Sequence, residues 1–215
     1  MGRHRQPEIA ERLLDACTDH ALAFGLPDRL EPLVQATGTS ARMLLYHFRT
    51  RDELLRAILR RARSRQLDSF RELLRLRPDE MYTVTLARAW SAMTGPDGRP
   101  YLRMFTQLRE NTEQTLWPGF RRLSTTDWLG PLEQGLRSIG RPESATLVLA
   151  VIRGLLMDLD STADADRTDA AFAEFLRALE PDVASRRPVS VGGDPRAPGA
   201  DHGGAPGNSR RRSGG

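Results

Sequence analysis

The chain of 215 residues is long enough to bury a substantial core, and 39% of its residues are hydrophobic. No window approaches the roughly 18 apolar residues that a membrane-spanning helix requires, and the first residues lack the apolar stretch of a signal peptide. We therefore expect a globular, cytoplasmic protein without membrane contact. Its single cysteine, Cys17, excludes an intramolecular disulfide and is expected to be a small buried residue of the first helix.

Arginine supplies the positive charge, since the sequence contains no lysine. Residues 1–65 carry 12 Arg against 8 acidic residues, residues 66–181 carry 14 against 17, and residues 182–215 carry 6 against 3. Both ends of the chain are therefore positive and the middle is negative. Guanidinium groups bind phosphates through paired hydrogen bonds, which suits a nucleic-acid partner. A GC-rich coding sequence would also explain the missing lysine.

Apolar residues recur at spacings of three and four through most of the chain, and no stretch shows sustained alternation, so the pattern predicts an all-α fold. Nine helices are expected, with Pro and Gly at most of their boundaries. They cover approximately residues 7–24, 29–36, 40–46, 50–76, 78–94, 101–113, 117–139, 143–161 and 167–179.

Individual residues refine these boundaries. Gly25 is expected to end the first helix, and Ser40 and Thr50 are expected to cap the third and fourth. Asp28 and Glu31 predict a capping box that would place Pro32 at the fourth position of the second helix. Gly130 and Pro131 predict a kink or a break in the seventh helix.

The second and third helices, joined by the turn Thr37-Gly38-Thr39, form the pattern of a helix-turn-helix. The positions expected to pack against the first helix are Leu30, Leu33, Val34, Leu44 and Phe48. The positions expected on the outer face are Ser40, Ala41, Arg42, Leu45 and Tyr46. Helical proteins that never bind DNA also contain such pairs, so spacing and charge alone leave both interpretations open.

If the third helix enters the major groove, its first residues read bases, and Arg42 is the best candidate for two hydrogen bonds to guanine. Tyr46, His47 and Arg51 follow one to three turns later, where they can bind phosphates that fix the register. The amide end of the fourth helix adds partial positive charge beside those phosphates.

The segment GTSARMLLYHFRTRDELLRAIL, with the residues from about Pro7 onwards, resembles the N-terminal domain of the tetracycline-repressor (TetR) family. The positions that fit the family pattern are Gly38, Ser40, Leu44, Tyr46, His47, Phe48, Thr50, Arg51, Asp52, Leu54 and Leu55. The resemblance implies base contacts by Ser40, Ala41, Arg42 and Met43, and phosphate contacts by Tyr46, His47 and Arg51. Four positions differ. Leu45 stands where an aromatic residue is common, and Val34 and Thr37 stand where small alanines are common. Asp28 stands where a phosphate-contacting Thr is common, so neighbouring Arg29 is the expected phosphate contact there.

The resemblance also implies a helix-turn-helix domain at residues 1–58, followed by a helical effector-binding and dimerisation domain at residues 59–181. The last two helices would pair with their copies in a homodimer. The interface residues expected are Leu147, Val151, Gly154, Leu155, Phe172, Phe175, Leu176 and Leu179. Residues 182–215 are rich in Gly, Pro, Ser and Arg, which predicts a disordered tail.

Between the domain ends, apolar side chains could line a pocket for a small hydrophobic effector. They are Trp90, Met93, Tyr101, Met104, Phe105, Leu108, Trp117, Phe120 and Trp128, with Arg109, Glu110 or Asn111 as polar anchors. A packed core without a pocket is the alternative for the same residues.

The sequence thus predicts a homodimeric, ligand-responsive regulator that binds double-stranded DNA as a repressor and leaves a palindromic operator when an effector binds. The alternative is a helical ligand-binding or interaction module without operator binding. Arg3, Arg5 and the Arg210–Arg212 run could add DNA contacts, or be solvated without a role. The histidines, His4, His20, His47 and His202, lack metal-ligand spacing, and Cys17 has no evident base partner, so we expect no catalysis, cofactor or metal.

Overall fold

The structure is a computed structural model that describes residues 7–180, apart from the side chain of Asn111. Its regular elements over that range are helical, which confirms the all-α prediction. The α-helices are α1 (Pro7–Phe24), α2 (Glu31–Thr37), α3 (Ala41–Phe48), α4 (Arg51–Leu73), α5 (Tyr82–Thr94), α6 (Arg99–Gln107), α7 (Glu113–Leu116), α8 (Phe120–Arg137), α9 (Ala145–Thr162) and α10 (Ala165–Leu179). A π-helical turn, Leu108–Thr112, joins α6 to α7, and a 3-10 turn, Pro142–Ser144, precedes α9.

None of the helices described is both long enough and apolar enough to cross a membrane. The Arg-rich ends considered above, Arg3 with Arg5 and Arg210–Arg212, lie outside the described residues, as does the predicted tail at 182–215.

Side-chain caps start α3 and α4 where the sequence predicts them. The Ser40 hydroxyl oxygen accepts a hydrogen bond from the Met43 amide at 3.2 Å, and the Thr50 hydroxyl oxygen accepts one from the Glu53 amide at 3.1 Å. Each bond satisfies an amide of the first turn that has no partner within its helix. Gly25, at φ +90°, follows the last residue of α1 as predicted.

The predicted capping box of α2 is wrong. The helix begins at Glu31 after Leu30, whose side chain makes no capping hydrogen bond, and Pro32 is its second residue. At the fourth position proline would remove an intrahelical hydrogen bond, whereas in the first turn the amide has no helical partner in any case. The proline therefore sets the start of α2.

The middle of the chain differs from the predicted helices in two places. The helix expected at 101–113 begins at Arg99, widens into the π turn and ends as the short α7. The helix expected at 117–139 begins at Phe120 and continues through Pro131 to Arg137, so a break there is wrong, while a kink stays a prediction. Leu132 and Leu136 are buried beyond the proline, and their packing holds the second half of α8 in place.

Two clusters of buried residues form the core. The first, which contains α1 to α4 and parts of α6 to α8, comprises Cys17, Ala21, Leu33, Leu44, Leu54, Leu55, Ile58, Leu59, Ala62, Met104, Phe105, Leu108, Leu116 and Phe120. The second comprises Tyr82, Leu86, Trp90, Leu132, Leu136, Ala145, Val148, Leu149, Ile152, Phe172, Leu176 and Leu179. Because the first cluster continues across residue 58, no break in packing marks the predicted domain boundary, and that boundary stays a prediction.

Cys17 lies fully buried in the first cluster, as the sequence predicts. Burial disfavours the thiolate and raises the pKa of the thiol to about 11.

In the second cluster, α5 and α8 approach closely at Gly135. A Cβ atom at this position would fall within the ring of Tyr82, which is fully buried. The absence of a side chain at Gly135 is therefore what allows the ring to lie against α8.

We expect Gly135→Ala to lower the free energy of unfolding by about 1–3 kcal/mol, because the added methyl group overpacks the contact with Tyr82 and outweighs the higher helix propensity of alanine. Urea unfolding followed by circular dichroism measures the loss. Tyr82→Leu provides the control background, since the smaller side chain makes room for the methyl group. An equal loss in both backgrounds would contradict the assigned contact.

Candidate DNA interface and effector region

The helix-turn-helix of α2 and α3 packs through the residues that the sequence predicts. Leu33 and Leu44 are fully buried in the first cluster. Leu30, Val34 and Phe48 are partly buried against it. Gly38 turns the chain between the helices in the left-handed conformation, at φ +64°.

The first turn of α3 is presented to solvent. Ser40, Ala41, Arg42 and Met43 are all exposed. The oxygen of Ser40 caps the helix, but its hydroxyl proton can still be donated to another acceptor. Small residues at the start of a helix, followed by a guanidinium, allow the backbone to approach base edges while Arg42 extends beyond it.

At the end of α3, Tyr46 and His47 lie side by side. Their rings meet edge to face with centroids 5.2 Å apart, and the tyrosine is 41% exposed. The Nδ1 atom of His47 is buried and has no hydrogen-bond partner among residues 7–180. These two side chains follow the exposed first turn of α3, and their phosphate contacts stay a prediction.

The two arginines predicted to bind phosphate have different surroundings. Arg29 is exposed in the loop before α2, next to the equally exposed Asp28. Arg51 donates hydrogen bonds to the carbonyl of Pro27 at 2.9 Å and to the carboxylate of Asp52 at 3.1 Å. The Arg51 guanidinium therefore fastens the start of α4 to the loop between α1 and α2, and only part of it faces solvent.

Contacts from outside the helix-turn-helix hold the α1–α2 loop and α4. The Leu26 amide donates to Gln107 Oε1, at the end of α6, at 3.3 Å. Arg56 of α4 donates to the carbonyl of Thr115 in α7 at 3.0 Å. The helix-turn-helix is thus connected to both ends of the segment that contains the π turn.

The nine side chains predicted to line an effector pocket belong to both buried clusters, and the pocket stays a prediction. The first cluster contains or contacts Tyr101, Met104, Phe105, Leu108, Trp117 and Phe120. The second contains or contacts Trp90, Met93 and Trp128. Within each cluster they are packed: Phe105 stacks on Phe120 at 5.1 Å, and Trp90 stacks on Phe172 at 4.6 Å. Of the predicted anchors, Arg109 is half-buried and Glu110 is exposed.

A charged residue that the sequence did not single out lies between these aromatic groups. Arg63 of α4 is only 5% exposed, and its guanidinium carbon lies 5.0 Å from the ring centroid of Trp128. Its Nη2 pairs with Asp127 Oδ2 at 2.7 Å. Burial of an arginine usually requires such a partner. The sequence around Arg63, RAILRRARSRQ, did not indicate that this arginine is buried, because it resembles its neighbouring arginines, which lie near the surface.

The predicted dimer residues divide into two groups. Phe172, Leu176 and Leu179 of α10 are buried inside the protomer's own second cluster. On α9, Leu147 and Gly154 are exposed, and Val151 and Leu155 are half-buried; Phe175 of α10 is also half-buried. The sequence did not single out Met157, which is 72% exposed on α9.

No protein-family model matches the chain, and no curated protein matches its sequence. Solved structures do resemble it. A transcriptional regulator from Rhodococcus sp. RHA1 has a TM-score of 0.62 at 21% identity, over 79% of this chain and 95% of that chain. A TetR-family regulator from Cytophaga hutchinsonii has a TM-score of 0.63 at 14% identity, over 82% and 96%. The multidrug-binding protein EbrR, in complex with imidazole, has a TM-score of 0.58 at 23% identity, over 86% and 96%.

The chain has the fold of TetR-family transcriptional regulators.

Within this TetR fold, the turn from α3 to α4 contains a strained residue that the sequence analysis overlooked. Arg49 has φ +66° and ψ −60°, and the Thr50 amide donates to the Phe48 carbonyl at 2.8 Å. This geometry is a γ-turn with positive φ at its central residue, which is rare and strained for a residue with a side chain. Glycine would relieve that strain, so an arginine at this position indicates a function for the side chain.

Arg49 lies in a groove of about 330 Å³ beside α3. The groove is lined by His47, Phe48, Arg49, Glu53, Arg56 and Arg60. Three arginines against one glutamate make it positive, and it lies next to the predicted phosphate contacts. Local sequence provided one signal: Arg49 is the cation of the short polar link before Thr50.

Proposed function

We propose that the protein is a homodimeric, ligand-responsive DNA-binding regulator of the TetR family that acts as a repressor. The observation that carries the proposal is the exposed first turn of α3, residues 40–43, with Tyr46 and His47 beside it in a helix-turn-helix. The fold supports it, because the similar solved structures include transcriptional regulators. The same comparison supports a role in binding, not in catalysis.

In the proposed complex, α3 enters the major groove. Arg42 donates two hydrogen bonds to a guanine, and Ser40, Ala41 and Met43 contact neighbouring base edges. Tyr46, His47 and Arg29 bind the phosphates on either side. Arg51 acts mainly by holding the loop between α1 and α2, given its hydrogen bond to Pro27.

Arg49 adds a phosphate contact to this set. The side chain is exposed at the end of α3, in the groove that it shares with Arg56 and Arg60. A phosphate bound there would offset the strain of the turn.

The dimer interface is proposed on the open face of α9. Leu147, Val151 and Gly154 lie on this face at spacings of four and three, and Met157 lies three residues further. No atom lies within 4 Å of a Cβ position at Gly154, so the backbone of a second helix can approach there. The buried residues of α10 support α9 from within the protomer, and Phe175 contributes at the edge of the interface.

The effector region is proposed around α6, the π turn and α8. EbrR is described as a multidrug-binding protein, which supports small-molecule binding in this fold. The Leu26–Gln107 and Arg56–Thr115 hydrogen bonds provide the connection from this segment to the helix-turn-helix. A ligand that favours one arrangement of this segment would shift the population of protomers that fit the operator.

Two observations favour the alternative, a helical ligand-binding or interaction module without operator binding. Asp28 is exposed beside the proposed phosphate contacts and would repel a phosphate, and Arg51 is engaged within the chain. The experiments below separate the two functions.

Selection of bound sequences from random duplex DNA should enrich a palindrome, because two copies of α3 would read two half-sites. With Arg42→Ala, discrimination at one base pair in each half-site should fall by about 1–3 kcal/mol. Tyr46→Phe is the matched comparison, since loss of a phosphate contact weakens binding without changing the selected sequence. If no sequence is enriched at low salt, the alternative module is the correct function.

The proposed phosphate contact of Arg49 can be tested with variants that change the charge of the side chain and the backbone strain independently. Arg49→Gly and Arg49→Ala should each reduce the slope of log affinity against log salt by about 0.9 per protomer, while Arg49→Lys should preserve it. The glycine variant should be more stable than the alanine variant by about 1 kcal/mol, because only glycine adopts this φ freely. An unchanged salt slope in Arg49→Gly would remove the phosphate contact from the proposal.

The dimer face can be tested with Met157→Glu, which would place a carboxylate and its copy at the two-fold interface. We expect sedimentation equilibrium to show a shift from dimer to monomer. Leu123→Glu is the control, because Leu123 is 42% exposed on α8 and is not part of the proposed α9 face, so this variant should leave the dimer intact. Dimers that persist in both variants would contradict the assigned interface.

A further inference from the structure

Three arginines from α4, the π turn and α9 each contact the first half of α8. Arg63 pairs with Asp127, Arg153 donates to Thr125, and the carbonyl of Arg109 accepts a hydrogen bond from Arg121. We call Arg63, Arg109 and Arg153 the arginine cluster. Arg63 has a carboxylate partner, Asp127 at 2.7 Å, and donates a second hydrogen bond to Gln66 at 2.6 Å. One of the three charges is therefore neutralised directly.

The other two charges have only hydroxyl partners. Arg109 donates to the Thr106 hydroxyl at 3.0 Å, and Arg153 donates to the Thr125 hydroxyl at 3.0 Å. Neither forms an ion pair with an acidic residue in the described range of the chain. A partly buried charge without an ionic partner is unfavourable, because desolvation is not repaid.

The pKa values of both groups show this imbalance. The pKa of Arg109 is lowered by burial and then by the charges of Arg153 and Arg121, which outweigh Glu110 and Glu113. Burial and the charge of Arg63 lower the pKa of Arg153. Of the two carboxylates that raise the pKa of Arg109, Glu110 is exposed and Glu113 pairs with Arg121 at 2.8 Å. An added anion would therefore be stabilised by the field of this site.

Two buried polar atoms, one on Arg63 and one in the π turn that contains Arg109, lack partners. The Nε atom of Arg63 and the hydroxyl oxygen of Thr112 are buried, and neither has a hydrogen bond within residues 7–180. Buried polar groups are normally satisfied, so unsatisfied ones in a site of several donors indicate an absent acceptor. Thr112 belongs to the π turn, a geometry frequently found at functional sites.

Aromatic rings border the cluster. The guanidinium carbon of Arg63 lies 5.8 Å from the ring centroid of Phe105, 5.7 Å from that of Phe120 and 5.0 Å from that of Trp128. Trp128 is half-buried, as are Arg109 and Arg153, so the cluster is accessible from the surface. The surroundings combine excess hydrogen-bond donors with apolar, flat side chains.

We propose that the arginine cluster binds the carboxylate of a small aromatic acid. Arg109 and Arg153 pair with the carboxylate, Thr112 donates its hydroxyl proton to it, and Trp128 contacts the aromatic ring. An amine would add to the charge already in excess, and a neutral amide would leave it uncompensated. This inference rests on the proposed function, because it names the chemical class of the effector that the proposed regulator would bind.

Binding at this position would act on the segment that leads to the helix-turn-helix. Arg109 lies two residues after Gln107, whose side chain accepts the hydrogen bond from the Leu26 amide. An anion that joins Arg109 to Arg153 would fix the π turn against α9, and Gln107 would be fixed with it.

The experiment is thermal unfolding of the full chain at constant ionic strength, with benzoate, 1-naphthoate, benzamide and benzylamine as probes. The carboxylates should raise the unfolding temperature in a concentration-dependent way, and benzamide and benzylamine should not. Arg153→Gln and Arg109→Gln should each weaken carboxylate binding at least about tenfold. Arg122→Gln, an exposed position on α8, is the matched control and should retain the native response.

A second readout requires no ligand. Arg153→Gln should leave the unfolding temperature of the free protein unchanged or raised, because it removes an unpaired charge, whereas Arg63→Gln should lower it, because Asp127 loses its partner. The proposal is overturned if no carboxylate stabilises the protein, if benzylamine stabilises it as well as benzoate, or if Arg153→Gln retains the benzoate response.

The DNA selection experiment keeps this outcome separate from that of the proposed function. Enrichment of a palindrome without any response to carboxylates would preserve the regulator and overturn the ligand class. A carboxylate response lost in Arg153→Gln, without any enriched DNA, would preserve the binding site and overturn the regulator.

Discussion

The packing of α1 against α4 is the contact on which the rest of the structure depends. Leu55, Ile58 and Leu59 of α4 and Cys17 and Ala21 of α1 belong to the first cluster and are buried. Each fully buried large aliphatic side chain contributes about 1.5–3 kcal/mol. Because α2 and α3 pack onto these two helices through single residues such as Leu33 and Leu44, the direction in which α3 faces solvent is set by the α1–α4 contact.

Ion pairs surround this contact but contribute little of its stability. Arg61 pairs with Glu11 and Asp15, and Arg65 pairs with Asp15 and Asp19. All five side chains are partly exposed, and such pairs contribute about 0–1 kcal/mol each. They fix the register of α4 along α1, while the apolar contacts supply most of the stability.

The sequence predicted the helix boundaries that depend only on residues close together in the chain. Ser40 and Thr50 begin their helices because a cap is satisfied within three residues, so the sequence alone indicates it. The predicted start of α2 was wrong because two local signals competed there, the capping box of Asp28 with Glu31 and the steric requirement of Pro32, and the second was the stronger. The π turn has no local signal of this kind, since its neighbours are fixed by contacts such as Glu113 with Arg121 on another helix.

The candidate site also has features that the local sequence determines and features that only tertiary contacts determine. The outer face of α3 could be predicted because the helical period determines which residues share a face. Helical periodicity identifies an apolar face but not whether the same chain or a second copy packs against it. For this reason Phe172, Leu176 and Leu179 were assigned to a dimer interface, although they are buried within a single chain. Of the arginine cluster, the sequence indicated only Arg109, as a polar anchor, because Arg63 and Arg153 are far from it in sequence and approach it only through tertiary packing.

The burial of Cys17 has a consequence for redox chemistry. Thiols are oxidised through their thiolate, and a buried thiol with a pKa of about 11 is almost entirely protonated near neutral pH. Since this is the only cysteine in the chain, the folded protein contains no thiol available to peroxide or to a second cysteine. Oxidants can therefore react with Cys17 only after the α1–α4 contact has opened.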